Sequence, residues 1–207
     1  MSKTPGPSDR ALGLHVFLAR HGETEWSKSG RHTGRTDVPL LPEGEARARS
    51  LQPRLRDERF DTVYTSPLQR ARRTAELAGY PDPEPEPLLM EWDYGDYEGI
   101  TSREIHAQNP DWDLWRDGCP GGESVEDVRG RAARFLQLLE EQPPRAVIVF
   151  SHGHFLRMLA IVFLDLPLPA GARLNLDTAA ISVLRESERG RLLQLWNDTG
   201  HLPGSAA

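Results

Sequence analysis

Six short apolar runs recur along the chain with helix-period segments between them, and this alternation limits the fold more than any other feature. The runs are LHVFLA at 14–19, DTVYT at 61–65, PLLM at 87–90, AVIVF at 146–150, AAISVL at 179–184 and LLQLW at 192–196. Each has the length of a strand. The segment 42–56 opens on Pro42 and acidic residues, as a helix N-terminus should, and Pro53 marks a break or kink within it. In 66–79, Ser66 is placed to cap, Pro67 to take the first helical position, Gln69 to complete a capping box and Gly79 to end the helix. Segment 123–142 carries apolar residues at 125, 128, 132, 135, 136 and 139, a helical spacing. HFLRMLAIVFL at 154–164 follows a strand directly, and YPDPEPEP at 80–87 is too rich in proline for anything but an extended connector. The last two runs, split by RESERGR, read as a hairpin with a polar turn.

This pattern predicts an α/β fold: a three-layer α/β/α sandwich around a mostly parallel sheet, with an antiparallel portion from the late hairpin. A length of 207 residues suits one domain spanning 1–207, with 1–12 and 200–207 read as frayed tails.

A formal net charge of −6 repels nucleic acid and anionic membranes, so any anionic substrate must be drawn in by a local basic pocket. Cys119 is the single cysteine, which rules out an internal disulfide and favours a reducing compartment. The N-terminal MSKTPGPSDR lacks the apolar core of a signal peptide, and the longest apolar stretch, 158–166, is too short to span a membrane. A cytoplasmic protein is the expectation.

In open α/β sheets, ligands bind beyond the carboxyl ends of the strands. The first run ends in Arg20-His21-Gly22, and the second in Thr65-Ser66 with Arg70 soon after. The third ends in Glu91 and the fourth in Ser151-His152-Gly153. Two guanidinium forks match the oxygens of a phosphate dianion, and the helix start after Ser66 adds free amides. One imidazole can attack phosphorus when neutral, with its other nitrogen donating to a backbone carbonyl. The second, if cationic, can stabilise charge on the phosphoryl oxygens. Glu91, if partly buried, can hand a proton to the leaving oxygen and later take one from water. Each residue alone has a plainer explanation: a structural histidine, a solvated helix arginine beside Arg72 and Arg73, a carboxylate in an ion pair. Their placement at four successive strand ends is what points to phosphoryl transfer without metal or cofactor.

RHGETEW, TSPLQRARRTA, EWDYGDYEG and SHG, in that order, resemble the four signatures of the histidine phosphatase superfamily, the phosphoglycerate-mutase-like proteins, over about residues 14–200. The resemblance implies that His21 is the residue phosphorylated, that Arg20 and Arg70 hold the phosphoryl group, that His152 completes the pocket, and that Glu91 is the proton donor. It also implies ligand contacts from Thr33 and Gly34, from the backbone of Gly153 and His154, and from Ser27, where many relatives carry asparagine. RHGETEWSKSGRHTGRTDVPL, EWDYGDYEG and WDLWRDGCPGGES are similar to sugar-bisphosphate phosphatases and to a group of bacterial acid phosphatases. Cofactor-dependent mutases differ after the acid, where this chain has Trp92-Asp93-Tyr94-Gly95, and Ser102 lies near the position of their lysine. The resemblance therefore favours a phosphatase acting on a small phosphorylated metabolite, with Tyr94 in the substrate site and a mutase as the alternative. Its members range from monomers to tetramers, which leaves a homodimer open.

Trp112, Trp115 and Arg116 offer an aromatic wall and a cation for a sugar and its second phosphate. The tryptophans serve equally well to pin a loop to the core. Arg31 is a further candidate for the rim. Among other designs, a metal-dependent hydrolase gains support from His152-Gly153-His154, but a further acidic cluster is missing. A Cys-x5-Arg loop starting at Cys119 would need arginine where Val125 stands. An inactive binder of phosphorylated ligands conflicts with the intact set Arg20, His21, Arg70, Glu91 and His152.

Overall fold

The computed structural model describes residues 13–141 and 145–202. Strands β1 (His15–Arg20), β2 (Thr62–Thr65), β3 (Glu84–Pro85), β4 (Ala146–Ser151), β5 (Ile181–Ser187) and β6 (Gly190–Asp198) form one sheet in the order β3-β2-β4-β1-β5-β6. The first four are mutually parallel, and β5 and β6 add the antiparallel hairpin. Among the described residues seven α-helices accompany them: α1 (Glu25–Ser29), α2 (Pro42–Leu55), α3 (Gln69–Leu77), α4 (Ser102–Gln108), α5 (Leu114–Asp117), α6 (Val125–Glu141) and α7 (Gly153–Phe163).

The apolar runs of β1 and β4 are continuous because both sheet faces are covered. Val16, Leu18, Val147 and Val149 face a core shared with Phe135 of α6 and Phe155 of α7. The alternate residues Phe17, Ala19, Ile148 and Phe150 face Leu51 and Leu55 of α2 and Ala75 of α3. The three layers follow from this two-sided burial. All six apolar positions expected in α6 are buried. Its expected last residue, Gln142, lies outside the described residues, as do 1–12 and 203–207 of the expected tails.

Three local expectations are corrected. Residues 87–90 are not a strand: Pro87–Leu89 form a 3-10 turn whose start is capped by the Glu86 carboxylate, which accepts from Leu88 N at 2.8 Å. The third strand of the parallel set is instead the short β3 within the proline-rich connector. Helix α3 starts at Gln69 rather than Pro67, and the capping box does not form. Asp37, from a distant loop, accepts the Gln69 N–H at 2.8 Å, while the Ser66 hydroxyl is drawn to His152 at 2.8 Å. Helix α2 passes through Pro53 as one element and ends two residues later.

Register positions the site. Arg20 pairs with Ser151 across the parallel β1–β4 ladder, so the residues that follow, His21 and His152, leave the sheet side by side. Their ring centroids are 5.2 Å apart. Thr65 of β2 pairs with Phe150, which brings Ser66 to the same edge.

Candidate active site

A cleft of about 230 Å³ opens at this edge, lined by Arg20, His21, Glu91 and residues of four further segments. His21 is 4% exposed, and its Nδ1 lies 2.7 Å from the Gly22 carbonyl oxygen. A carbonyl only accepts, so Nδ1 carries the proton and Nε2 keeps its lone pair. Burial, then Arg70, then Arg20 hold this imidazole well below its ordinary pKa, so it is neutral near pH 7. These are the requirements for a nitrogen nucleophile.

Arg20 donates through Nη1 to the Leu176 carbonyl, and its buried Nε has no partner. A Cβ on Gly153 would stand 3.2 Å from that Nε. Glycine at the start of α7 thus lets the guanidinium lie against the helix terminus while Arg20 lines the cleft.

Arg70 is fully buried, behind the cleft rather than on its wall. Four of its five N–H groups are used: Nε toward His152 Nδ1 at 3.1 Å, Nη1 to Thr36 O, and Nη2 to Thr33 O and Gly34 O. A guanidinium only donates, so His152 Nδ1 accepts and the proton of this ring sits on Nε2, 2.8 Å from Ser66 Oγ. Burial, Arg70, His21 and Arg20 all push the His152 pKa well down. The expectation of a cationic second histidine is corrected: His152 is neutral, because a guanidinium occupies the nitrogen a second proton would need.

Glu91 is 5% exposed and follows the 3-10 turn, off the sheet. Its Oε1 accepts from Trp92 N at 2.9 Å and Phe155 N at 2.8 Å, and its Oε2 from His154 N at 3.1 Å. The carboxylate is thereby fastened across the first turn of α7, on the wall of the cleft that His21 also lines.

Of the other expected contacts, Ser27, Thr33, Tyr94, Gly153 and His154 line the cleft. The Ser27 hydroxyl also closes the capping box of α1, accepting from Thr24 N at 2.9 Å. Buried Tyr94 keeps its proton, since burial first and Glu91 second raise its pKa well above 10. Its O–H therefore donates to His154 Nδ1 at 2.6 Å. The His154 ring is neutral, held well below its ordinary pKa by burial and by Arg157. Gly34 does not line the cleft. Its N–H donates to Glu98, its carbonyl accepts from Arg70, and a Cβ there would lie 2.5 Å from the Trp92 carbonyl oxygen.

Arg116 is not brought to the site: it is exposed and paired with Asp117 at 2.7 Å. Trp112 and Trp115 are buried behind the wall rather than on it. Trp112 packs edge-on to His32 at 5.8 Å, and Trp115 lies under the Arg157 guanidinium at 5.0 Å. The rim candidate Arg31 lines the cleft, and so does Ser102. Sequence reasoning missed Gly30, His32, Arg157, Asn175 and Leu176, which complete the wall. Arg157 had a signal, because it stands three residues after His154 on one helix face.

Residues 16–199 match the family described as the histidine phosphatase superfamily, branch 1. The chain belongs to the histidine phosphatase superfamily. This histidine phosphatase is 42% identical to an acid phosphatase of Mycobacterium tuberculosis, over 90% of its own length and 93% of the relative's. It is 36% identical to sedoheptulose 1,7-bisphosphatase of Saccharomyces cerevisiae, over 75% of its length and 69% of the relative's. The solved structure of an open reading frame product from Mycobacterium tuberculosis superposes with a TM-score of 0.86 at 42% identity, covering 91% of this chain and 99% of that one. The histidine phosphatase is a phosphoric monoester hydrolase. None of its described helices is long and apolar enough to cross a membrane.

Proposed function

We propose that the enzyme hydrolyses sugar phosphates, with sugar bisphosphates as its preferred class, through a phosphohistidine at His21. The observation that carries this reading is the mixture of groups around the cleft. Beyond Arg20, the wall holds Arg31 and Arg157, neither of which forms an ion pair among the described residues. Between these cations stand uncharged hydrogen-bonding groups: Ser27, His32, Ser102, His154 and Asn175. One phosphate dianion is balanced by Arg20 with Arg70 behind it. The remaining cations suit a second anionic group, and the neutral donors and acceptors suit hydroxyls. The relative named sedoheptulose 1,7-bisphosphatase points the same way.

The reaction divides into two displacements. The His21 Nε2 lone pair forms a bond to phosphorus as the ester P–O bond breaks, and Glu91 gives its proton to the departing alkoxide. Arg20, on the cleft wall, meets the charge on the phosphoryl oxygens, reinforced by the field of Arg70. Water then attacks phosphorus, its proton passes to Glu91, and the P–N electron pair returns to His21. The single buried thiol of Cys119 fits a cytoplasmic setting.

The test is a panel of esters: sedoheptulose and fructose bisphosphates, phosphoglycerates and phosphoserine, assayed for free phosphate. The expected result is the highest kcat/KM for the sugar bisphosphates. Equal values across the panel would remove the substrate assignment. Isomerised phosphoglycerate formed faster than phosphate would turn the enzyme into a mutase.

A further inference from the structure

Glu91 sits on a segment without regular hydrogen-bonded structure, yet general acid catalysis demands a placement good to a fraction of an ångström. What fixes its main chain lies outside the cleft. The guanidinium of Arg131, on α6, is 8% exposed and uses every donor it has. Nη1 donates to Leu88 O at 2.7 Å and Met90 O at 2.8 Å, and Nη2 to Glu91 O at 3.2 Å. Nε and the other Nη2 proton form a fork onto Glu123, at 2.6 and 2.8 Å. Glu123 in turn grips the far side of the segment. Its carboxylate accepts from Asp93 N at 2.9 Å, and its main-chain oxygen from Trp92 Nε1 at 2.9 Å.

We propose that the buried Arg131–Glu123 pair positions the proton donor, holding the main chain of residues 88–93 so that the Glu91 carboxylate meets the leaving oxygen. The pair also ties this segment to α7: the Arg131 guanidinium lies 4.9 Å from the Phe155 ring, and the Phe155 amide donates to Glu91 Oε1. Stability alone is a poor reason for such a pair, since burying two charges costs about as much as their attraction returns. Geometry is the better reason. A fork of five donors can hold three carbonyls and a carboxylate at once, and a lysine cannot.

The inference rests on Glu91 being the acid, and the experiment separates the two. Arg131→Lys, Glu123→Gln and Glu91→Gln are compared in single-turnover phosphoryl transfer from two esters. One is p-nitrophenyl phosphate, whose leaving group needs no proton. The other is the best alkyl phosphate from the ester panel. For Arg131→Lys and Glu123→Gln, transfer from the alkyl ester should slow by about 10²-fold. The nitrophenolate burst should stay within about threefold of the parent enzyme, with KM unchanged. Both esters are measured on one preparation, so a partly unfolded sample scales both rates and leaves their ratio intact. If the two rates fall together, or neither falls, while Glu91→Gln shows the leaving-group dependence, the positioning role is wrong and the acid stands. If Glu91→Gln itself treats both esters alike, the acid assignment and the positioning role fail together.

Discussion

The Arg70 guanidinium donates through Nε to His152 Nδ1 at 3.1 Å, and this contact sets the protonation pattern beneath the nucleophile. With Nδ1 occupied by a donor, His152 can present only an Nε2–H. Arg70→Lys keeps a cation but cannot hold the imidazole and three carbonyls together. We expect kcat to fall by about 10²- to 10³-fold. Nitrogen-15 shifts of the His152 ring should show loss of the single tautomer. A variant with normal turnover, or an unchanged His152 signature, would contradict this.

The pH dependence of activity follows from His21. Its folded pKa is depressed by burial, Arg70 and Arg20, so the nucleophile is already neutral well below the ordinary value of 6.5. We expect kcat/KM for a nitrophenyl ester to show no acid limb centred near 6.5, with the decline displaced to lower pH. A titration of activity between about pH 4.5 and 8 checks this, and a midpoint at the ordinary histidine value would refute it.

The same shift has a consequence for stability. His21, His152 and His154 all have folded pKa values below 6.5, whereas the unfolded chain titrates at that value. Between the two, the unfolded state binds more protons, so stability is complete above 6.5 and declines as pH falls toward the folded values. In the unfolded chain the histidines supply this window, because free carboxylates titrate near about 4. Denaturant melts at stepped pH should lose stability already between about pH 6.5 and 5, and replacing His152 by Gln should flatten the slope.

Gly153 is tightly approached where Arg20 passes, since an added Cβ would stand 3.2 Å from Nε and 3.3 Å from Cζ. Gly153→Ala should displace the guanidinium by a few tenths of an ångström and lower kcat/KM by about tenfold. Alanine is also the better helix former, so thermal stability should hold or rise slightly. A loss of stability with unchanged kinetics would reverse the assignment.

Arg116, exposed and paired with Asp117, lies outside the cleft. Arg116→Ala should change kcat/KM on a sugar bisphosphate by less than about twofold, while Arg157→Ala should raise KM by about tenfold or more. The opposite ranking would place the second anion where the sequence pattern first suggested.

The sheet was legible because both faces of β1 and β4 are covered, which leaves unbroken apolar runs, and α6 because its buried positions keep the helical period. PLLM at 87–90 misled because four apolar residues have no period to read, and the outcome was decided by Pro87 and the Glu86 cap. The nucleophile, the guanidinium of Arg20 and the carboxylate of Glu91 stood next to recognisable strand-like runs. What surrounds them was not legible: the partner of Arg70 lies 82 positions away, and those of Arg131 include carbonyls 40 to 43 positions back. Such contacts leave no mark in local spacing. The proton state of His152 is illegible for the same reason, because it depends on which atom of Arg70 faces it.

Glu91 stands off the sheet, whereas His21 and His152 grow directly out of adjacent parallel strands. The grip on phosphorus is therefore welded to the centre of the sheet, and the protonation of the departing alkoxide is delegated to an appendage. Leaving-group range can then be redesigned by regrafting residues 86–93 with their supports, while the chemistry at phosphorus is carried unchanged by the framework beneath.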